Sequence, residues 1–388
     1  MKELLSKKSK CTGCGVCAAV CPRHCITMKL DREGFLYPHT DEENCSSCGL
    51  CIKKCHMRKE QKENECKNVL VGVHKNKDIL LNSSSGGAFS AIAELWFEQH
   101  ENAAVFGAYM TEDFSVLHDF CRKYEQMAKF RKSKYIFGNS SSSYSQVKNL
   151  LDDGVWVLYT GTPCQIAALK SFLGKDRENL MCVEIFCHGA GSNELFKRYI
   201  NESKNKITSY SFREKSGNNP RDVKIVYADG KTEIKHKEND LYMSAYAEAL
   251  FYRPSCYECK YANSRRAADI SLGDCWKIKD LYDDFDDFGG VSTILFNSVR
   301  GKAFADPIQT KMYCRDADYE FIRKNTDTMR SPTFKNAKRE KFYRLSGRHT
   351  VSYSIEKCLI RNDKFRKLAA CLLNDKIKEQ IKHLLKRI

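Results

Sequence analysis

The sequence predicts an α/β protein with a small α+β module at its N-terminal end and a basic helix at its C-terminal end. Three observations lead there. Two cysteine-rich runs lie within the first sixty residues. From about Val69 onward, apolar runs of strand length alternate with small-residue turns and helix-length segments, the pattern of parallel strands joined by helices. The last stretch is basic, with apolar residues at helical spacing. A chain of 388 residues is long enough for two or three domains.

The N-terminal module comes first. Cys11-Thr-Gly-Cys14-Gly-Val-Cys17-Ala-Ala-Val-Cys21-Pro22 is followed by Cys45-Ser-Ser-Cys48-Gly-Leu-Cys51-Ile-Lys-Lys-Cys55. Both have the C-x2-C-x2-C-x3-C spacing of a bacterial two-cluster ferredoxin, in which the fourth cysteine of each run ligates the other cluster. The expected ligand sets are Cys11, Cys14, Cys17 and Cys55 for one 4Fe-4S cluster, and Cys45, Cys48, Cys51 and Cys21 for the other. Gly13, Gly15 and Gly49 suit the tight turns that bring successive sulfurs inward. Zinc is the alternative occupant of C-x2-C pairs, but zinc ribbons use two pairs rather than two four-cysteine runs. His56 stands after Cys55 where the first run has Pro22. Clusters of this kind move electrons one at a time.

Lys59 to Asn68 is polar and reads as a linker. Val69-Leu-Val-Gly-Val then reads as a buried strand, and Ser83-Ser-Ser-Gly86-Gly87 leads into a helix from Ala88 to Phe97. Strand, small-residue turn and helix can present free N–H groups to a phosphate; an ordinary capped helix gives the same pattern. Ala104 to Tyr109 is a further strand, Tyr144 to Asp152 a helix, and Val155-Trp-Val-Leu-Tyr a strand of parallel type. That strand ends in Thr160-Gly-Thr-Pro-Cys164, followed by a helix from Gln165 to Leu173. Val183-Glu-Ile-Phe-Cys187-His188-Gly189 repeats the pattern, with function expected at the strand ends. Cys256-Tyr-Glu-Cys259 is another C-x2-C. Cys164, Cys187, Cys256 and Cys259 can therefore converge as a third four-thiolate site, or serve as small buried hydrophobes. Cys25, Cys66, Cys121, Cys182, Cys314, Cys358 and Cys371 are isolated and read as structural.

Composition sets the class. No run of eighteen apolar residues occurs, so no spanning helix is expected, and the N-terminus lacks the apolar core of a signal peptide. The chain reads as cytoplasmic, with its twenty cysteines kept reduced for metal rather than paired. The net charge of +16 is uneven: from Lys335 to Ile388, 16 Lys and Arg face 5 Asp and Glu.

Several stretches resemble the beta subunit of coenzyme F420-reducing hydrogenase and its relatives. They are Ser85-Gly86-Gly87-Ala88-Phe89, Lys134-Tyr135, Gly161-Thr-Pro-Cys164-Gln165, Phe186-Cys187-His188-Gly189, Cys256-x2-Cys259, Ala268 to Trp276, and Gly289 to Ser292. They run in family order over about Val69 to Arg300. The family also includes F420-dependent dehydrogenase subunits, hydroxymethyl-chlorophyll reductase of plants, and members fused to a dicluster ferredoxin. The resemblance implies a ferredoxin domain over 1–60, family N-terminal-like and C-terminal-like regions over 69–150 and 151–310, and a basic helical extension over 311–388. It implies FAD beside a third 4Fe-4S cluster on Cys164, Cys187, Cys256 and Cys259. Ser85, Gly86, Gly87, Lys134, Gly161, Thr162 and Pro163 become the flavin contacts it points to, and His188 a proton donor or a loop filler. Asp274 and Trp276 shape the pocket.

The implied function is an iron–sulfur flavoprotein oxidoreductase. It would exchange electrons between a low-potential donor, ferredoxin-, flavodoxin- or F420-like, and an organic substrate, with surface-polysaccharide metabolism among the family's settings. A non-catalytic electron-transfer subunit is the alternative. The apolar positions Phe365, Leu368, Ala369, Leu372, Leu373, Ile377, Ile381, Leu384, Leu385 and Ile388 follow helical spacing and form one face of a basic amphipathic helix, suited to the inner face of a membrane or to packing on protein. Aromatic and basic residues do not interleave as in nucleic-acid binders, so nucleic acid is not the expected partner.

Overall fold

The computed structural model describes residues 7–216, 219–286 and 289–359. In the cysteine-rich module, Gly15 and Gly49 have φ of +76° and +72° and open the one-turn helices Val16–Ala19 and Leu50–Lys53. Glycine takes this left-handed backbone without a Cβ clash. Between the two cysteine runs, β1 (Ile26–Leu30) pairs antiparallel with β2 (Leu36–Thr40).

The larger part begins with β3 (Asn68–His74), β4 (Ala103–Met110), β5 (Val116–Cys121), β6 (Trp156–Gly161) and β7 (Leu180–Ile185). β8 (Ile207–Ser216), β9 (Asn219–Tyr227) and β10 (Thr232–His236) form a separate antiparallel sheet. β11 (Ile270–Asp274), β12 (Ser292–Phe296) and β13 (Met312–Asp316) return to the main sheet, whose order is β13-β3-β12-β11-β7-β6-β4-β5. β11, β7, β6 and β4 are mutually parallel, and β3 runs with them because β3 and β11 are both antiparallel to β12. Five strands therefore end on one edge, at His74, Met110, Gly161, Ile185 and Asp274.

Both sheet faces are covered, which is why these strands are apolar throughout. Val105, Leu158 and Met181 face the helix Ala88–Gln99. Their chain neighbours Ala104, Val157 and Cys182 face the helices Ser143–Asp152 and Pro163–Leu173. The strands and helices expected from Val69 to Leu173 form within a few residues of their expected bounds. The strand expected at Val183 starts earlier, at Leu180, and stops at Ile185, so Cys187 and His188 follow it in a loop at the sheet edge, as expected.

The divisions expected at 150/151 and 310/311 both fall inside this sheet. β4 pairs with β6 across the first, and β13 with β3 across the second. Buried strand groups need ladder partners, so the core runs unbroken from Asn68 to Asp316. After it, the helices Arg339–Ser346 and Val351–Cys358 pack on an aromatic cluster around Phe196, Tyr242 and Phe251. The expected helix over Phe365–Ile388 lies outside the described residues. Among the described residues, no helix is long and apolar enough to cross a membrane.

Candidate metal centres and the sheet edge

Cys11, Cys14, Cys17 and Cys55 come together. Burial raises the Cys14 thiol to about 12, with Cys11 and Cys55 adding to the shift. Cys17 is raised by burial and by Cys14, Cys11 and Cys55. In the second set, Cys51 is raised by burial, then by Cys48 and Cys21. Cys45 and Cys51 both pack against the buried cluster of Cys21, Cys25 and Ile26. Cys48 is exposed, so this set faces solvent. Cys25, read from the sequence as isolated, is not: its Sγ lies 3.4 Å from Cys21 Sγ. Cys121, Cys182 and Cys358 are buried among apolar residues, as expected of structural cysteines.

The structure also brings Cys164, Cys187, Cys256 and Cys259 together. Cys164 sits at the start of the helix Pro163–Leu173, where Thr162 and Gln165 cap each other's backbone N–H groups. Cys187 follows β7, and Cys256 ends the 3-10 turn Pro254–Cys256. Burial pushes Cys187 well above its usual range, and Cys256, Cys164 and Cys259 push it further. Burial also raises Cys164 to about 11 and Cys256 to about 12. The Cys259 loop is anchored by the Arg266–Glu184 ion pair at 2.5 Å, both side chains sealed from solvent.

Thiols that resist ionisation through burial and mutual repulsion are relieved by metal cations, which stabilise thiolates directly. Four sulfurs are the donor set of a 4Fe-4S cluster. Among the described residues, no three His, Cys, Asp or Glu side chains close around a single-ion point. A cubane spreads its four thiolates over four irons, and four cysteines supply that donor set.

The module docks with its first quartet toward the third. The helix Val16–Ala19 and the turn His56–Arg58 pack on the helix Pro163–Leu173, and the turn Lys8–Lys10 packs on Pro254–Cys256. His56 is buried, with Nε2 3.1 Å from Thr12 Oγ1 and Nδ1 hydrogen-bonded to Tyr261 Oη. Burial raises the Tyr261 hydroxyl, and so do thiols of both quartets, Cys164 and Cys259 on one side, Cys14 and Cys55 on the other. Tyr144 Oη donates to Cys14 O at 3.0 Å. The His56 departure noted in the sequence is thus an interface contact.

The expected flavin contacts line the sheet edge, and most are already engaged by protein. A Cβ on Gly86 would lie 2.2 Å from Gly72 O and 2.5 Å from Ser292 N. A Cβ on Gly87 would meet His74 at 2.9 Å. Ser85 Oγ donates to Val291 O at 2.9 Å. The Lys134 ammonium donates to the carbonyls of Ala108, Arg131, Phe130 and Lys129 at 2.8, 2.8, 3.1 and 3.4 Å. Burial pulls Lys134 down to about 7; those carbonyls favour the charged form and oppose the shift. Gly161 lies beside Gln165 and the buried His118.

His188 is exposed at this edge; desolvation by the surrounding loop lowers its imidazole, and Asp327 and Asp274 pull it back up. Asp274 pairs with Arg213 at 2.8 Å, and the exposed Trp276 ring carries the Arg221 guanidinium at 4.3 Å. The Arg213 Nε is buried without a partner. A cavity of about 310 Å³ nearby is lined by Lys132, Lys134 and Lys224 against one carboxylate, Glu214. Lys132 and Glu214 pair there at 2.7 Å, and the volume is at the small end of ligand cavities. Arg253, Tyr261, Arg213 and the Arg266–Glu184 pair went unread in the sequence, because isolated polar residues far apart in the chain carry no spacing signal.

Fold and site together define an α/β iron–sulfur protein with a fused dicluster module. Residues 155–320 match the family described as the C terminus of the coenzyme F420 hydrogenase/dehydrogenase beta subunit, and residues 10–58 match the 4Fe-4S dicluster domain. The chain thus carries a 4Fe-4S dicluster domain ahead of a region similar to the F420 hydrogenase/dehydrogenase beta subunit. It is 23% identical over 279 residues to a subunit of the F(420)H(2) dehydrogenase of Methanosarcina mazei, covering 68% of this chain and 75% of that protein. It is 36% identical over 53 residues to an uncharacterized ferredoxin of Methanocaldococcus jannaschii, covering 14% and 68%. A solved structure of the F420-reducing NiFe hydrogenase complex from Methanosarcina barkeri aligns with a TM-score of 0.45 at 17% identity, over 65% of this chain and 82% of that one.

Proposed function

We propose that this protein is an iron–sulfur flavoprotein oxidoreductase, exchanging electrons between a low-potential partner and an organic substrate. One observation carries the reading: the three thiol quartets are ordered from the exposed Cys48 set, through the set at the module interface, to the set beside the sheet edge. Clusters on these quartets supply one-electron transfer, and FAD would supply the pairing of two electrons. The chain's own residues hold and seal the site. His56, Tyr261 and Tyr144 close the module interface to water. The capped helix start presents Cys164, and Glu184 with Arg266 fixes the Cys259 loop. At the edge, Ser85, Gly86, Gly87, Lys134, Gly161, Thr162 and Pro163 are the proposed flavin surroundings. The lysine-lined cavity is the proposed place for its anionic part. His188, exposed at this edge, is the proposed proton donor to substrate. The relatives' names make F420 a candidate donor beside ferredoxin-like proteins.

A carrier without flavin, serving a larger redox complex, is the second reading. The prior engagement of Gly86, Gly87, Lys134 and Thr162 by protein favours it. Iron and acid-released flavin per chain, on protein purified without oxygen, separate the two. About twelve iron atoms and one FAD support the enzyme. About eight iron atoms and no flavin after reconstitution would sink it in favour of the carrier. Direct turnover with a chemical reductant is the companion test.

A further inference from the structure

Arg253 is the last residue before the Pro254–Cys256 turn, and it belongs to both halves of the molecule. Its backbone N–H donates to Ala190 O at 3.0 Å, and its carbonyl accepts from Cys256 N at 2.9 Å. Its side chain crosses to the cysteine-rich module. There Nε donates to Cys11 O at 2.9 Å and Nη2 to Leu36 O at 2.7 Å. Nη2 also lies 4.0 Å from Cys11 Sγ. The guanidinium stands 4.2 Å from the Tyr37 ring centroid and 5.3 Å from that of Phe35. Gly13 makes room for it: a Cβ there would lie 2.6 Å from Nη1.

The residue is 1% exposed, and Nη1 has no hydrogen-bond partner. Among the described residues, no carboxylate pairs with it. An arginine stays charged in protein interiors, and a buried cation without a counter-ion is costly. Two carbonyls and the aromatic faces offset part of that cost. The remaining charge is directed at sulfur. The guanidinium lies against Cys11 of the first quartet, and the residue that bears it is hydrogen-bonded through its carbonyl to Cys256 of the third.

We propose that Arg253 is the shared counter-charge of the first and third thiol quartets, a positioning residue that raises the reduction potential of the clusters they hold. The proposal rests on the reading that both quartets bind 4Fe-4S clusters. A one-electron reduction adds one negative charge at a cluster. Arg253 meets that charge with its own fixed positive charge, so no proton has to follow the electron. Net charge near the sulfurs is one of the quantities that set cluster potential. The second quartet, with the exposed Cys48, is the set expected to be unaffected and serves as an internal control.

The test is an anaerobic redox titration of the reconstituted full chain, read by EPR, for the wild type, Arg253→Gln and Arg253→Lys, with iron measured on each. Cys48→Ser and Cys256→Ser assign the signals. Arg253→Gln is expected to keep its iron. At a fixed solution potential it should show at least a tenfold lower reduced-to-oxidised ratio for the first and third clusters, 59 mV for a one-electron couple, and no change at the second. Arg253→Lys should shift less. Equal shifts at all three clusters, or none, would overturn the proposal. If Arg253→Gln loses iron, Arg253→Lys decides: wild-type iron and near-wild-type potentials support a role for charge, and the same iron loss refutes it. A wild type that holds only about eight iron atoms sinks the third-cluster reading. The first-cluster shift in Arg253→Gln would still be measurable, so the two failures are distinguishable.

Discussion

Replacing Arg266 with methionine strands a carboxylate. Glu184 is fully buried on β7, and Arg266 donates to it through Nε at 2.5 Å. Breaking a buried pair by removing one partner costs about 3–5 kcal/mol, because the other charge is left without compensation. Glu184 keeps two hydrogen bonds here, from Ala267 N at 3.1 Å and Ser271 Oγ at 2.8 Å. The low end, about 3 kcal/mol, is therefore expected. At about 2–4 °C per kcal/mol for a domain of this size, the apparent melting midpoint should fall by roughly 6–12 °C. Arg266 also donates through Nη1 to Tyr261 O at 3.3 Å and Asn263 O at 3.0 Å. Its loss should therefore loosen the Cys259 loop and release iron from the third quartet first. The assay is thermal unfolding of anaerobic protein with iron counted before and after, on Arg266→Met and on Arg266→Met with Glu184→Leu. Removing both charges lets apolar packing replace the pair, so the double variant should recover most of the loss. A single variant within about 2 °C of wild type, or a double variant no better than the single, refutes the reasoning.

Two further outcomes are expected. His118 is buried, its Nε2 3.2 Å from Thr160 O, and burial lowers its pKa to about 4. Between the unfolded value near 6.5 and the folded value, the unfolded chain binds a proton that the native state refuses, so stability falls as pH drops through this window. His118→Phe should flatten the slope of unfolding free energy between pH 6.5 and 5 by up to about 1.4 kcal/mol per pH unit; an unchanged slope would show that His118 titrates normally. Gly273→Ala places a Cβ 2.1 Å from the Phe186 ring, one residue before Cys187. The ring must move, and iron per chain should fall from about twelve toward about eight while the dicluster EPR signals persist. Full iron retention would mean the Phe186 loop yields without disturbing Cys187.

Much of the fold is periodicity, and periodicity is local. Buried parallel strands such as β4 and β6 read as continuous apolar runs, and helices such as Ala88–Gln99 read as a 3.6-residue pattern after a small-residue turn. The two four-cysteine runs are equally local, since three of each quartet's sulfurs sit within seven residues of one another. The domain divisions were less legible. The expected cut after residue 150 separates β4 from β6, which are hydrogen-bonded neighbours. Strand pairing over such distances leaves no mark in either strand. The glycines at 86 and 87 stood out as a motif, yet only the packed backbone shows that they make room for Gly72, His74 and Ser292.

Sequence alone determined that this chain carries two four-cysteine runs of ferredoxin type, an α/β core, and cysteines at the ends of two strands, because spacing and hydrophobic pattern act over a few residues. Tertiary structure decided which thiols meet. Cys164, Cys187, Cys256 and Cys259 span nearly a hundred positions, and only the shared direction of β6 and β7 and the turn at Pro254 bring them together. It also decided that the first quartet faces the third across Arg253, His56 and Tyr261. A buried charge shows its partners only after folding has removed the water that would otherwise solvate it.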